Sequence, residues 1–326
     1  MLILTHDDVR RLLPIEACID VMADALRDLT LGRSFMPLRM VVNPPQSDGL
    51  MALMPATVSG ERAAYGLKAL CVFESNAARG LDLHQGGVLL FSPETGRLQA
   101  VMSASAITEL RTPAVSAVAT RELSRPDAGD LAIIGAGRQG RAHLAALAVV
   151  RKLTRVRVAD RDPAAAARFA AEAAERYTFP VEAVANAELA VRDADIIVTT
   201  TTSHYPVIRR EWVSPGAYLN AVGASQPDSR ELDAATVAAA RFFVDRREST
   251  VNESADYLVA VREGAITPDH IQAELGEVLL GRHPGRTGPD EITLFKSLGL
   301  AVEDVAAAHA VYQRATDLGV GTSVEF

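Results

Sequence analysis

The sequence contains few cysteines: among its 326 residues only Cys18 and Cys71 carry a thiol. Two thiols are too few for the disulfide framework of a small secreted protein and for a four-thiolate zinc site. They are typical of free thiols in a reducing compartment. The sequence therefore predicts a protein that does not depend on disulfides, and it suggests no metal site.

Long apolar runs and an excess of positive charge are also missing. No stretch approaches the roughly 18 consecutive apolar residues of a membrane-spanning helix. The first residues include Asp7 and Asp8, where a secretory signal peptide would carry basic side chains. The formal net charge of −8 argues against a nucleic-acid-binding protein, because such proteins need a basic surface. We therefore expect a cytoplasmic protein that contacts neither a membrane nor nucleic acid.

The residues that are present are those of an ordinary globular protein. Hydrophobic residues make up 48% of the chain and charged residues 23%, which excludes wholesale disorder. A length of 326 residues predicts about two domains.

In the first 122 residues two helical patterns precede short apolar runs, and the runs at 87–91 and 98–102 flank a turn that contains proline and glycine. This pattern predicts a hairpin within a mixed or antiparallel sheet with flanking helices.

From residue 130 to residue 245 strand-like runs alternate with alanine-rich helical stretches. The alternation is typical of βαβ units and of a parallel sheet. Six candidate strands lie at 131–134, 156–159, 181–184, 195–200, 217–222 and 241–244. Six strands are enough for a complete doubly wound dinucleotide-binding domain. After residue 246 the pattern is helical, and we expect a final helix at 302–318 to pack back on the first part of the chain.

A glycine-rich segment follows the first of these strands. Gly135, Gly137 and Gly140 form a G-x-G-x-x-G motif between the apolar run 131–134 and a helical stretch at 141–147. The first glycine permits a tight turn, the second lets the backbone approach a pyrophosphate, and the third lets helix and strand pack closely. The start of the helix offers free N–H groups and a positive dipole to phosphates. The segment predicts a dinucleotide site.

The acidic residue that such a site requires is also present. Asp160 lies 20 residues after Gly140, at the end of the second strand, where an acid binds the ribose 2′-hydroxyl of the adenosine half. Its charge would repel the 2′-phosphate of NADP, so we expect NAD to be preferred over NADP. The neighbouring Arg161 leaves NADP as the alternative, because an arginine can accommodate that phosphate.

Threonines end the fourth strand, at the expected switch point of the doubly wound sheet. Ligands bind just beyond this edge. We therefore expect Thr200 and Thr201 to contact the ribose or nicotinamide of the cofactor. The alternative is that these threonines only reflect the preference of branched side chains for strands.

Over nearly its whole length, the sequence resembles the ornithine cyclodeaminase/mu-crystallin family. The resemblance rests on Met36-Pro37-Leu38-Arg39, Gly66-Leu67-Lys68, Arg111-Thr112-Pro113-Ala114, Gly135-Ala136-Gly137-Arg138-Gln139, Asn220-Ala221-Val222-Gly223-Ala224-Ser225 and Phe295-Lys296-Ser297-Leu298-Gly299. It implies an α/β fold with a doubly wound parallel Rossmann sheet at 125–302. It also implies an α+β domain for substrate binding and dimerisation, made of 1–124 and 303–326. Members of the family act on amino acids and their imines, and the expected assembly is a homodimer.

The residue patterns and the resemblance together predict roles for individual residues, and Arg39, Lys68 and Arg111 correspond to substrate positions of the family. The residues predicted to bind the substrate are Arg39, Lys68, His84 and Arg111. The residues predicted to act in catalysis are Lys68, Arg111 and Ser225. Cofactor binding falls to Arg111, Thr112, Gly135, Gly137, Arg138, Gln139, Asp160, Thr200, Thr201, Val222, Gly223 and Ser297. A cationic clamp suits the carboxylate of an imino or amino acid, because arginine offers it a bidentate fork. The alternative for each cation is a surface charge or an internal ion pair.

Two departures from the cyclodeaminases bear on the reaction. Ser225 stands where they have a catalytic aspartate, and Ala52 stands where they have a glutamate. We therefore expect NAD(P)H-dependent reduction of an imino acid or ketimine to the L-amino acid, reversible as an amino-acid dehydrogenase. The substrate is linear, such as iminosuccinate, or cyclic, such as pyrroline- or piperideine-2-carboxylate, and Lys68, a bound water or His84 supplies the proton. The alternatives are a deaminating cyclase of the ornithine cyclodeaminase type and a non-catalytic, NAD(P)H-dependent protein that binds a small molecule.

Overall fold

The computed structural model of the protein describes residues 1–47 and 49–325, without the side chains of Glu61, Glu74, Ala77, Ala78 and His84. The chain divides into two compact units, Met1–Ala114 with Leu300–Phe326, and Val115–Gly299. The predicted division into a substrate and dimerisation domain and a dinucleotide domain, with boundaries at 124 and 302, stays a prediction. Across the described residues, no helix is both long enough and apolar enough to cross a membrane.

Helices and strands alternate along most of the chain. The helices are α1 (His6–Leu12), α2 (Ile15–Thr30), α3 (Ala104–Leu123), α4 (Arg138–Val150), α5 (Pro163–Ala174), α6 (Ala187–Val191), α7 (Ala234–Ala239), α8 (Arg247–Glu253), α9 (Ala255–Arg262), α10 (Leu275–Leu279) and α11 (Ala301–Leu318). The strands are β1 (Leu2–Leu4), β2 (Ser34–Phe35), β3 (Met40–Val42), β4 (Gly49–Val58), β5 (Ala64–Phe73), β6 (His84–Phe91), β7 (Leu98–Ser103), β8 (Asp130–Ile134), β9 (Arg155–Ala159), β10 (Val181–Ala183), β11 (Ile196–Thr199), β12 (Tyr218–Ala221), β13 (Arg241–Val244), β14 (Ile271–Glu274), β15 (Thr293–Lys296) and β16 (Thr322–Ser323).

The first unit is built on a mixed sheet. Its strand order is β16-β1-β7-β6-β5-β4-β2, with β3 paired to β4. Strands β1 and β7 run parallel, whereas β4, β5, β6 and β7 are joined by antiparallel pairings. The predicted mixed sheet and its hairpin are therefore confirmed.

The final helix packs on this sheet, as predicted. Helix α11 contacts α2 and lies across β4, β5 and β6. A Cβ atom on Gly66 would lie 2.4 Å from Cγ2 of Val305, so only glycine lets the helix approach β5 this closely. Met54, Lys68 and Val88 are paired across the three strands and are buried. Because side chains alternate between the faces of a strand, Lys68 belongs to the face that α11 covers.

The second unit is a doubly wound parallel sheet. Its order is β10-β9-β8-β11-β12-β15-β13-β14, and every pairing in it is parallel. Chain order reverses between β8 and β11, which is the switch point where such sheets bind their ligands. All six predicted strands are present, so the predicted Rossmann sheet is confirmed.

The prediction of a helical pattern after residue 246 is confirmed for α8, α9, α10 and α11, but it was wrong for two segments. Two further strands, β14 and β15, belong to the same sheet. Each has four residues, and β15 is inserted between β12 and β13. Each contains two polar residues, and a segment of four residues cannot be assigned to strand or helix from its periodicity. Pairing with distant strands decides its structure.

Candidate functional site

The glycine motif forms a tight connection between β8 and α4. Gly135 has φ = 110°, a backbone conformation that is strongly unfavourable for any residue with a Cβ atom. A Cβ atom on Gly140 would lie 2.1 Å from the carbonyl oxygen of Gly135. Gly137 is the N-cap of α4, and a Cβ atom there would meet nothing within 4 Å. The first and third glycines thus close the loop on the helix, while the second faces open space.

A cavity of about 780 Å³ lies at this loop. This volume falls in the range of small-molecule sites. The cavity is lined by Ile134, Gly135, Gly137, Ala159, Asp160, Arg161, Pro163, Ala185, Asn186, Ala187, Glu188, Thr200, Thr201, Thr202, Ser203, Pro206, Val207, Arg209 and Trp212. The structure therefore brings together five predicted cofactor residues: Gly135, Gly137, Asp160, Thr200 and Thr201. The open space at Gly137 beside the start of α4 fits a pyrophosphate, so these residues suit a dinucleotide.

The Asp160 carboxylate is held in place by backbone N–H groups. Its Oδ2 accepts a hydrogen bond from Ala136 N–H at 2.7 Å, and its Oδ1 accepts one from Asp162 N–H at 2.9 Å. The carboxylate thereby connects the glycine loop to the end of β9. Arg161 is exposed and lines the same cavity. Both residues that bear on the choice between NAD and NADP are therefore at the cavity.

Thr200 and Thr201 begin the loop after β11. The Thr200 hydroxyl donates to the Gly135 carbonyl oxygen at 3.2 Å, which ties this loop to the glycine loop. Thr201 donates both its N–H and its hydroxyl to the Glu231 carboxylate. Val222 and Gly223 follow β12, and the Gly223 N–H donates to Glu231 at 2.8 Å. Gly223 therefore has a structural role here, in addition to the cofactor role predicted for it.

The remaining predicted cofactor residues have varied surroundings. Arg138 and Gln139 form the first turn of α4. Ser297 directly follows β15 and is buried. Its hydroxyl has no hydrogen-bond partner in the part of the chain that the structure covers. Ser225, predicted to act in catalysis, lies in the half-buried loop after β12.

In the first unit, two predicted substrate residues meet at one carboxylate. Lys68 Nζ and Arg111 Nε each donate to Asp304 Oδ1 at 3.0 Å. Arg111 Nη1 also donates to Glu303 Oε2 at 2.9 Å. All four side chains are buried. The internal ion pair that the sequence left open therefore exists, and binding of a substrate carboxylate by the same cations stays a prediction.

Sequence reasoning identified these cations but missed their acidic partners. Glu303 and Asp304 lie in the first turn of α11. Acidic residues are common at this place because they stabilise the helix dipole, so nothing in the pattern marked them as partners of distant cations. Lys68 and Asp304 are 236 residues apart in the chain.

The environment of Lys68 changes its acidity. The pKa of its ammonium group is lowered to about 8, chiefly by burial. The Asp304 carboxylate opposes this shift, whereas the positive charges of Arg111 and Arg39 add to it. Arg39 is half-buried, and its charge acts on the same ammonium group. The charges of Arg39 and Arg111 thus both act on Lys68, which relates all three predicted cations in the first unit.

Two predicted residues of the first unit remain. Thr112 follows Arg111 in α3 and is buried, and its hydroxyl has no hydrogen-bond partner within 1–47 and 49–325. Helix α3 begins at Ala104, so Arg111 and Thr112 lie inside this helix. His84 is the first residue of β6, and its side chain lies outside what the structure describes.

The whole chain resembles known proteins. A Delta(1)-pyrroline-2-carboxylate reductase of Bacillus cereus is 36% identical over 327 residues, covering 100% of both proteins. The solved Delta(1)-pyrroline-2-carboxylate reductase of Thermococcus litoralis, in complex with NADH and L-proline, is 36% identical with a TM-score of 0.97 over 99% of this chain and 100% of that chain. A solved archaeal alanine dehydrogenase dimer with bound NAD is 35% identical with a TM-score of 0.94 over 100% of this chain and 99% of that chain.

The match to a family extends over both units. The model of the ornithine cyclodeaminase/mu-crystallin family covers residues 1–319. That range contains the glycine loop with Asp160, and it contains the buried cations Lys68 and Arg111 with their acidic partners. The resemblance inferred from the sequence motifs is confirmed: the chain belongs to the ornithine cyclodeaminase/mu-crystallin family.

Proposed function

We propose that this protein is an oxidoreductase that uses a reduced nicotinamide dinucleotide to convert an imino acid or ketimine to the L-amino acid. In reverse it acts as an amino-acid dehydrogenase. The observation that carries the proposal is the pair of buried cations, Lys68 and Arg111, in a chain with a dinucleotide cavity. The relatives named above act on a cyclic imino acid and on alanine, so cyclic and linear substrates are both proposed.

The chain's own residues supply binding and proton transfer. We assign the substrate carboxylate to Arg39, Lys68 and Arg111, because charged hydrogen bonds to a carboxylate are strong in a buried site. Asp160, Gly137 and the start of α4 hold the dinucleotide, which when bound supplies the hydride for the imine carbon. The imine nitrogen must gain a proton in the same reaction. Lys68 suits this role, because a general acid works best with a pKa near the working pH.

Reduction fits the residues better than cyclisation does. Ala52 is buried in β4, between Val41 and Leu70 of the neighbouring strands. Its methyl group cannot hold or deprotonate a diamine. Ser225 likewise offers a hydroxyl in place of the acid that a cyclodeaminase uses. A non-catalytic protein that binds NAD(P)H and a carboxylate remains the second candidate, because the same cations would serve it.

Oxidation of NADH with a panel of substrates tests the proposal. The panel contains cyclic imines such as pyrroline- and piperideine-2-carboxylate, and 2-oxo acids, including oxaloacetate, with ammonia or methylamine. Trp212 is the chain's single tryptophan and lines the cavity, so its fluorescence reports NADH binding independently of turnover. The proposal expects turnover with at least one imine. Saturable NADH binding without turnover across the panel would instead support the non-catalytic alternative.

We further propose that NADH is preferred over NADPH because of the charge of Asp160. In the variant Asp160→Ser we expect kcat/KM for NADPH relative to NADH to rise at least about tenfold, since the repulsion of the 2′-phosphate is lost. Steady-state kinetics with both cofactors measure this ratio. The matched variant Arg161→Ser should move the ratio in the opposite direction. A native enzyme that prefers NADPH tenfold or more would contradict the assignment.

The acidity of Lys68 predicts a pH dependence. The ammonium group is cationic below its pKa of about 8 and loses its proton above it. We therefore expect kcat/KM for the imino acid to fall as the pH rises through about 8, because both the carboxylate contact and the proton donor are lost. In Lys68→Arg this decline should disappear from that range, since a guanidinium stays charged. If the decline of kcat/KM persists unchanged in Lys68→Arg, a group other than Lys68 causes it.

We also propose a homodimer, formed through the outer face of the mixed sheet. The strand register places five exposed apolar side chains on the face opposite Lys68: Phe35, Met40, Val42, Met51 and Tyr65. A contiguous exposed apolar surface is typical of an interface between subunits. Light scattering should give a mass of about twice 34.7 kDa.

A further inference from the structure

A buried carboxylate joins the ends of two strands in the second unit. Glu231 has no exposed surface, and it lies in the loop between β12 and α7. Its Oε1 accepts from the N–H and the hydroxyl of Thr201 at 2.6 and 2.8 Å. Its Oε2 accepts from the Thr199 hydroxyl at 2.7 Å and from the Gly223 N–H at 2.8 Å. Four donors, from β11 and from the loops that follow β11 and β12, thus converge on one side chain.

A second buried pair holds Glu231 in turn. Asp256 Oδ1 accepts from the N–H groups of Glu231 and Leu232, each at 2.9 Å. Its Oδ2 accepts from Lys296 Nζ at 2.8 Å, and both of these side chains are fully buried. Lys296 is the last residue of β15. The network therefore extends across the ends of three adjacent strands: β11, β12 and β15.

The absence of a side chain at residue 223 makes room for this network. A Cβ atom on Gly223 would lie 2.2 Å from the Thr201 carbonyl oxygen and 2.6 Å from Glu231 Oε1. Burial raises the pKa of Glu231, while the charge of Lys296 and the hydrogen bonds from Thr201 and Thr199 oppose this shift. A buried carboxylate is expensive unless it is fully hydrogen-bonded. Stability alone does not require such a group, so its position at the strand ends points to function.

That position is the nicotinamide side of the proposed site. The cavity at Asp160 extends across the switch point: Gly135 and Asp160 line it on the side of β8 and β9, where the adenosine half of a dinucleotide binds, and Thr201 lines it beyond β11. The loops after β11 and β12 belong to the other half, which receives the nicotinamide. Thr201 lines the cavity and is also held by Glu231. Glu231 itself does not line the cavity, so it acts through the loops that it holds.

We infer that Glu231 is a positioning residue, which fixes the loops after β11 and β12 in the arrangement that the nicotinamide half of the cofactor requires. The inference rests on the proposed use of a nicotinamide dinucleotide. Positioning groups of this kind matter because small displacements near a reacting centre have large effects on rate and binding.

The variant Glu231→Gln tests this inference with little change in shape. Both Glu231 oxygens face a backbone N–H, from Thr201 and from Gly223. A glutamine side chain has one oxygen, so in either orientation its NH₂ group faces one of these N–H donors. By calorimetry we expect ADP-ribose, which lacks nicotinamide, to bind within about twofold of the native protein, and NADH to bind at least about tenfold more weakly.

Two other variants complete the experiment. Thr199→Val removes one donor to Glu231 at a buried position that does not line the cavity, and it should weaken NADH binding in the same direction but less. Glu182→Gln changes an exposed glutamate of β10 and should leave both ligands unaffected. Unchanged NADH binding in Glu231→Gln, or equal losses for NADH and ADP-ribose, would overturn the inference. If the native protein binds NADH but reduces no imine, the proposed function is refuted. The comparison of NADH with ADP-ribose binding would still test the role of Glu231.

Discussion

The variants Lys68→Ala and Arg111→Ala are each expected to lower kcat/KM for the imino acid by at least about 10²-fold, which corresponds to roughly 2.7 kcal/mol of lost transition-state stabilisation. Both cations are buried and share Asp304 Oδ1, so their charges act in a medium of low polarity. A substrate carboxylate that enters such a site exchanges water for charged hydrogen bonds. Removing one cation takes away a direct contact and disturbs the other.

Loss of stability must be separated from loss of the contact. Removing one partner of a buried ion pair leaves the other charge uncompensated and destabilises the protein, by about 3–5 kcal/mol. The double variant Lys68→Met/Asp304→Asn removes both charges, so we expect thermal stability to recover while kcat/KM stays low. Lys152→Ala serves as the control, because Lys152 is exposed. Near-normal turnover in both Lys68→Ala and Arg111→Ala would refute the assignment of the substrate site.

The second large effect concerns the glycine motif, where Gly137 and Gly140 should respond differently to alanine. At Gly140 the new methyl group would lie 2.1 Å from the Gly135 carbonyl oxygen. We expect overpacking of about 2 kcal/mol in the absence of cofactor, which lowers the Tm by roughly 4–8 °C. At Gly137, φ is −77° and a methyl group meets no neighbour within 4 Å. Gly137→Ala should therefore keep the native Tm.

Cofactor binding should show the opposite contrast. The Gly137 methyl group would occupy space at the start of α4 that the pyrophosphate needs, so we expect the Kd for NADH to rise at least about tenfold without loss of stability. Thermal melts of the cofactor-free protein and titrations of Trp212 fluorescence measure the two effects. A Gly137→Ala protein with native NADH affinity would mean that the pyrophosphate does not approach this position. Equal losses of Tm in both variants would contradict the geometry of the loop.

The glycine loop illustrates how far local sequence determines local structure. Gly135, Gly137 and Gly140 lie close in the chain, and their spacing after an apolar strand already specifies the turn and the helix start. The six strands of the predicted parallel sheet were also readable, because each combines an apolar run with a helical stretch that follows it. The strands β14 and β15 have no such apolar run, because each contains two polar residues among its four, and their pairing with β13 and β12 makes them strands.

Part of the candidate site could also be predicted from short segments of the sequence. The cations Lys68 and Arg111 belong to motifs that mark the family, so the sequence pointed to them directly. Their acidic partners did not stand out, since Glu303 and Asp304 also suit the first turn of any helix. Glu231 was similarly hidden, because a single glutamate in a loop has no periodicity or spacing that distinguishes it from a solvated charge.

By itself the sequence determined the fold class, the glycine loop with Asp160 and the family, and it singled out the three cations that we propose bind the substrate. These features depend on short segments in which all the informative residues lie close together in the chain, or on motifs that can be compared directly with those of the family. Only the tertiary structure decided which charges meet: Asp304 reaches Lys68 across 236 residues, and Glu231 binds the ends of two strands. Burial is the physical reason. It turns an ordinary surface charge into a group that needs a specific partner, and burial depends on the packing of distant segments.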